Sequence, residues 1–116
     1  VTNNNRLSCI LYQRSCDTVL GLPYNIPSYA LLLHMVAKIA KLEVGKFIWT
    51  GGDVHIYVDQ IDTLVQEQLD NPCLPLCTLK FNEDKEYTKL SDFTMDDIWI
   101  ENYQHAGVVK YPAAAV

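Results

Sequence analysis

Pro27-Ser-Tyr-Ala-Leu-Leu-Leu-His-Met-Val-Ala-Lys-Ile-Ala-Lys-Leu42 is the stretch on which the fold turns. Pro27 suits a first helical turn, where its missing N–H costs nothing, and Gly45 stands just past the end of the pattern. His34, Lys38 and Lys41 follow i, i+4, i+7 spacing and make one thin polar stripe, read as solvated. Leu31, Leu32, Leu33, Met35, Val36, Ile39 and Ala40 fill the rest of the circumference. A helix apolar around most of its girth belongs at the centre of a core.

On its N-terminal side, residues 6–14 alternate with apolar side chains on both faces, which predicts a strand buried on two sides. Cys16 to Pro23 reads as a loop. On the C-terminal side, Phe47-Ile48-Trp49 reads as a short strand, Gly51-Gly52-Asp53 as a turn and Val54 to Val58 as a second strand. Asp59 to Leu69 predicts an amphipathic surface helix, ended by Pro72 and Pro75. Leu76 to Phe81 and Ile98 to Ile100 read as two further strands around a charged segment. Together these predict an α+β sheet-and-helix assembly.

The chain has 116 residues, enough for one small domain, and 49% of them are hydrophobic, which excludes disorder. A formal net charge of −5 argues against a nucleic-acid surface. Lys38 and Lys41 interrupt the best apolar run, short of the roughly 18 residues of a membrane span. No signal-peptide pattern is visible, so the expected compartment is cytoplasmic. Cys9, Cys16, Cys73 and Cys77 are read as reduced thiols; they lack the paired ligand spacing of a zinc site, so no metal is expected. None is a convincing nucleophile: Cys9 reads as a core strand residue, Cys16 lies near Arg14 but has no base adjacent in sequence, and Cys73 and Cys77 read as loop and strand residues. Val1 leads almost at once into a strand, and a doubly buried strand with an apolar helix needs more cover than this length supplies. The expectation is a piece of a longer chain.

Three segments could carry chemistry. Tyr12-Gln13-Arg14-Ser15-Cys16-Asp17 crowds a strand end with polar groups. Arg14 and Ser15 suit an anion such as phosphate; an Arg14–Asp17 ion pair is the structural alternative. Asn25 precedes the apolar helix and could cap it, or could read an imide edge such as uracil N3–H and O4. His55 and Tyr57 share a strand face beside a Gly turn, suiting sugar hydroxyls or ordinary structural hydrogen bonds.

Taken together, these segments resemble thymidylate synthase. Leu11-Tyr-Gln-Arg-Ser-Cys-Asp17 is similar to that family's phosphate-binding strand, Gly21-Leu-Pro-Tyr-Asn-Ile-Pro-Ser-Tyr-Ala30 to the start of its long helix, and Gly51-Gly-Asp-Val-His-Ile-Tyr57 to a third landmark. The tail Pro112 to Val116 resembles the family's short apolar C-terminus. Tyr24 stands where the family usually has Phe, Pro27 where it has Ala, and His105-Ala106-Gly107 lacks the usual Pro.

The resemblance implies a thymidylate-synthase-type mixed sheet around a buried central helix, with this chain as the C-terminal part of a single domain. It implies reductive methylation of dUMP to dTMP, with 5,10-methylenetetrahydrofolate giving both methylene and hydride. Gln13, Arg14, Ser15, Cys16, Asp17, Asn25, His55, Ile56 and Tyr57 would meet dUMP. Arg14, Asn25, Asp53, His55 and Tyr57 would be the catalytic group. Asp17, Leu20, Gly21, Tyr24 and Ala115 would line the folate site, with Ala115 and Val116 closing as a lid. The family's nucleophilic cysteine sits in a Pro-Cys-His element, absent from this sequence, just upstream of this strand. The implied partners are a missing N-terminal half and a second subunit, a homodimer packed sheet against sheet. A dUMP hydroxymethylase, or a nucleotide-binding remnant without a nucleophile, would share these motifs.

Overall fold

β1 (Arg6–Asp17), α1 (Leu22–Ile39) and β2 (Glu43–His55) form a parallel strand–helix–strand unit. The structure, a computed structural model, describes residues 4–108 apart from the side chains of Thr63 and Leu64. The expected lid at Ala115 and Val116 lies outside the described residues. Two parallel strands cannot be joined by a tight turn, so the connecting helix crosses back over one face of the pair. Leu7, Cys9, Leu11 and Gln13 of β1, with Phe47 and Trp49 of β2, make the half-buried face under that helix.

The other face is open. Ile10 and Tyr12 are each 70% exposed, and Ile48, which opposes Ile10 in the register, is exposed as well. The expected burial of β1 on both sides is therefore not met within the described residues. The buried central helix is corrected likewise: only Leu33 and Ala37 of α1 are buried, while Tyr24, Tyr29 and Leu32 are exposed. Two strands set about 5 Å apart make a floor too narrow to cover the circumference of a helix. The radius of gyration, 17.0 Å, exceeds the roughly 13 Å of a compact domain near this length.

Local chemistry explains where α1 begins and ends. It starts at Leu22, five residues before the expected Pro27, which lies inside the helix. Pro23 takes the early position instead, and Ser28 Oγ donates to the Tyr24 carbonyl at 2.6 Å in the turn where Pro27 offers no N–H. Asp17 builds the turn before it: its Oδ1 accepts from Val19 N (3.0 Å) and Leu20 N (3.1 Å), and its carbonyl accepts from Gly21 N (3.1 Å). The stop is at Lys41, in the left-handed region at φ 55°, rather than at Gly45. Lys41 N and Leu42 N bond back to the carbonyls of Lys38 and Ala37, closing the helix as a Schellman turn.

β2 runs unbroken through Gly51-Gly52-Asp53, where a turn between two strands was expected. Its register with β1 carries through: Gln13 opposes Gly51, Ser15 opposes Asp53, and Asp17 opposes His55. Here glycine is selected for space. A Cβ on Gly52 would lie 2.9 Å from the Arg14 carbonyl, and one on Gly51 would strike Trp49 and Val54.

After β2 the chain forms a helical run, α2 (Val58–Gln60), a π-turn (Ile61–Val65) and α3 (Gln66–Asp70). β3 (Thr78–Phe81) and β4 (Ile98–Glu101) pair antiparallel, close to expectation. Between them an aromatic cluster anchors the charged segment: Tyr87 is buried and stacks on Phe93 at 3.9 Å, with Phe93 edge-on to Phe81. The polar stripe of α1 faces this segment, Lys38 bonding Glu83 and Lys41 bonding Glu86, each at 2.9 Å. Exposed pairs of this kind add little. His34, expected to be solvated, is half-buried in a groove between α1 and the β3–β4 pair.

Asp97 is the buried ion, 4% exposed. Lys85 Nζ donates to its Oδ2 at 2.6 Å, and Thr94 donates from both N and Oγ1 at 2.8 Å. Lys85 first, then Thr94, holds its carboxyl far below the usual carboxylate range. The stabilisation is thus full above the unfolded carboxylate range, near pH 4, and is lost as pH falls below it. Replacing Asp97 by Asn should lower the melting temperature at pH 7 and flatten the acid limb of a stability-versus-pH curve. Leu33→Ala should cost about 2–5 kcal/mol in a denaturant melt, since Leu33 lies on the buried side of α1.

Candidate functional site

The carboxyl ends of β1 and β2 meet the N-terminus of α1. Parallel pairing puts both strand ends on one edge, and the short turn at residues 18–21 drops the first turn of α1 beside them. An open concavity of about 330 Å³ results, lined by Leu11, Tyr12, Gln13, Arg14, Asn25 and Tyr29. Gln13, Arg14 and Asn25 come from two separate sequence segments. The fold brings them together.

Gln13 is the hub. Trp49 Nε1 donates to its Oε1 at 3.0 Å, while its Nε2 donates to Asn25 Oδ1 at 2.9 Å and to the Ser15 carbonyl at 3.0 Å. Both of its N–H donors and one lone pair of its oxygen are thereby occupied inside the protein. Gln13 therefore holds Asn25 from behind, with no free N–H of its own. Asn25 lies within α1 rather than capping it, and the capping position is Gly21. The Asn25 Nδ2 and one Oδ1 lone pair remain for the cavity.

The structural alternative, an Arg14–Asp17 ion pair, is not formed among the described residues. Arg14 lies on the open face of β1, whereas Asp17 Oδ1 caps the turn leading into α1. Ser15 is half-buried beside it. Cys16, 1% exposed, has its thiol closed to any ligand, and all four cysteines are unpaired.

His55 and Tyr57 stand together at the end of β2, edge to face with ring centroids 5.2 Å apart. The His55 carbonyl accepts from Thr18 N at 2.9 Å, which ties this end of β2 to the turn after Asp17. Asp53 Oδ1 lies 3.5 Å from His55 Nδ1. Ile56 turns into a separate apolar hollow with Val19 and Pro23. On the turn, Leu20 and Gly21 are half-buried and the Tyr24 ring is 72% exposed.

Two supporting residues have no counterpart in the sequence reading. Trp49 was legible only as a strand residue. Gln60 is 3% exposed, its Oε1 accepting from Tyr57 N at 3.3 Å while Gln60 N donates to the Tyr57 carbonyl at 3.0 Å. That reciprocal pair fixes the backbone that carries Tyr57. A polar residue three positions after Tyr57, at the start of a helix, is the signal that could have found it.

The thymidylate synthase family model matches residues 1–115, and the chain belongs to that family. The family is one of folate-dependent methyltransferases that make dTMP from dUMP. No helix among the described residues is long and apolar enough to cross a membrane, and no cluster of metal-ligating side chains occurs among them.

Partial burial holds the imidazole of His34 below its ordinary pKa. In a proton NMR titration its midpoint should fall below the roughly 6.5 of a free histidine. The neutral form is then favoured by folding, and this contribution is lost as pH falls through that range.

Proposed function

We propose that this chain supplies much of the dUMP and folate site of a thymidylate synthase, catalysing reductive methylation of dUMP to dTMP. The observation that carries this reading is the Asn25 amide, held from behind by Gln13 at a cavity that Arg14 also lines. Arg14 and Ser15 take the phosphate. Asn25 accepts the uracil N3–H at Oδ1 and donates from Nδ2 to O4. That donor stabilises the charge developing at O4 when a thiolate adds to C6. Arg14 favours the ionised form of that thiol. His55, with Asp53 beside it, and Tyr57 hold the ribose 3′-hydroxyl, and Tyr57 orders the water that removes the C5 proton.

The folate co-substrate fits the turn between β1 and α1. Among the described residues Asp17 Oδ2 takes no hydrogen bond and is free to accept a pterin N–H, and the exposed ring of Tyr24 offers a stacking face. Leu20 and Gly21 line the same edge. Bound methylenetetrahydrofolate supplies the methylene and the hydride.

The thiolate comes from a segment outside this sequence; among the described residues no cysteine lines the Gln13–Arg14–Asn25 cavity. The exposed apolar face of β1 and β2 supports packing of a second subunit, and the uncovered sides of α1 support packing of further chain. The expected compartment is the cytoplasm.

Full-length enzyme incubated with 5-fluoro-dUMP and methylenetetrahydrofolate should give a covalent adduct that survives a denaturing gel. Its absence, with no dTMP formed, would leave a nucleotide-binding remnant as the reading. Hydroxymethyl-dUMP as the product in place of dTMP would establish a hydroxymethylase. Asn25→Asp should lower kcat/KM for dUMP by about 100-fold or more, because the carboxylate has no N–H for O4. The same variant should gain dCMP binding.

A further inference from the structure

A carboxamide is an ambivalent reader. Turned one way, Asn25 accepts from uracil N3–H and donates to O4. Turned by 180°, the same side chain donates to cytosine N3 and accepts from the N4 amine. The two arrangements have nearly the same shape, so an asparagine discriminates the bases only if something fixes its sense.

We propose that Trp49 is the positioning residue that fixes it, acting through Gln13; this rests on Asn25 being the base reader. The indole Nε1–H can only donate, so the Gln13 atom 3.0 Å from it is the oxygen. The Gln13 amide nitrogen must then face the Ser15 carbonyl, which can only accept, at 3.0 Å, and Asn25 at 2.9 Å. A flipped Gln13 would set donor against donor at Trp49 and acceptor against acceptor at Ser15. Because Gln13 presents N–H to Asn25, the atom of Asn25 that meets it is Oδ1. Each link forces the next. The sense of the last amide is set by an indole two side chains away, with the Ser15 carbonyl acting in the same direction.

Gly51 keeps the place of that indole. It follows Trp49 by two residues on the same strand face, and a Cβ there would lie 2.9 Å from Trp49 Cζ2 and closer still to Cη2. Even alanine would displace the ring that reaches Gln13. Gly51 thus leaves space for Trp49 and Val54, and it stands opposite Gln13 in the sheet register.

The test compares dUMP and dCMP on the full-length enzyme, by competition binding and by kcat/KM. Trp49→Phe keeps an aromatic body and removes only the N–H donor. It should cut the preference for dUMP over dCMP by about tenfold, the worth of one buried hydrogen bond. Gln13→Glu is the second variant: a carboxylate accepts from Trp49 but cannot donate, so Asn25 turns its amine inward. Its preference should move toward dCMP at least as far. Loss of both nucleotides in equal proportion would show Trp49 to be packing alone and overturn the proposal. An unchanged ratio in both variants would overturn it too. A readout without nucleotide separates the two readings: in ¹⁵N-edited NMR, Trp49→Phe should shift the side-chain amide signals of both Gln13 and Asn25. If those signals move but the parent enzyme binds no dUMP, the relay stands and the assignment of Asn25 as base reader falls. If they stay where they were, the relay itself is wrong.

Discussion

The parallel pairing of β1 with β2 is the constraint on which the rest depends. It obliges the chain to cross over through α1, and it sets both strand ends on the same edge as the helix N-terminus. Pairs such as Gln13 with Gly51 and Asp17 with His55 are then neighbours, although nearly forty residues separate them in sequence. A one-residue slip would turn Gln13 to the open face and Trp49 away from it. The register thus positions the polar hub before any ligand is considered.

Polar groups at this edge are used with little slack. Asp17 spends one carboxylate oxygen and its carbonyl on the turn that starts α1, and Gln13 spends both amide N–H groups on Ser15 and Asn25 and accepts from Trp49. Gln60 does the same for the backbone of Tyr57. Leaving one such half-buried partner unmatched would cost about 1–3 kcal/mol, which explains why the side chains at the edge hold single orientations. Arg14 and Tyr24 differ: they face outward and have unspent capacity. The hydrogen-bonded support lies behind the cavity, and the outward-facing side chains lie at its mouth.

The sequence revealed the elements better than their limits. β1, α1, β3 and β4 follow from alternation and helical spacing, because those patterns record which side chains share a face. α1 begins earlier than Pro27 because Pro23 also fits a first turn and the Asp17 turn selects it. Gly51-Gly52 reads as a turn because glycine is usual there; only the indole of Trp49 and the carbonyl of Arg14 show it kept for space. The apolar girth of α1 was legible, yet its burial was not met, since burial needs partners that periodicity does not count. Within the site, Arg14, Asn25, His55 and Tyr57 stand out as side chains with chemistry to offer. Trp49 and Gln60 do not, because a residue that acts through another leaves no motif.

The proposed reading rests on Asn25, which Gln13 holds at the β1–α1 edge. The most direct test is a high-resolution structure of the full-length enzyme with dUMP bound. The account predicts uracil N3 and O4 within about 3 Å of Asn25, the phosphate on Arg14 and Ser15, and Gln13 still bonded to Asn25 Oδ1. A pyrimidine seated away from Asn25, or a Gln13 amide turned from Asn25 toward the base, would contradict it.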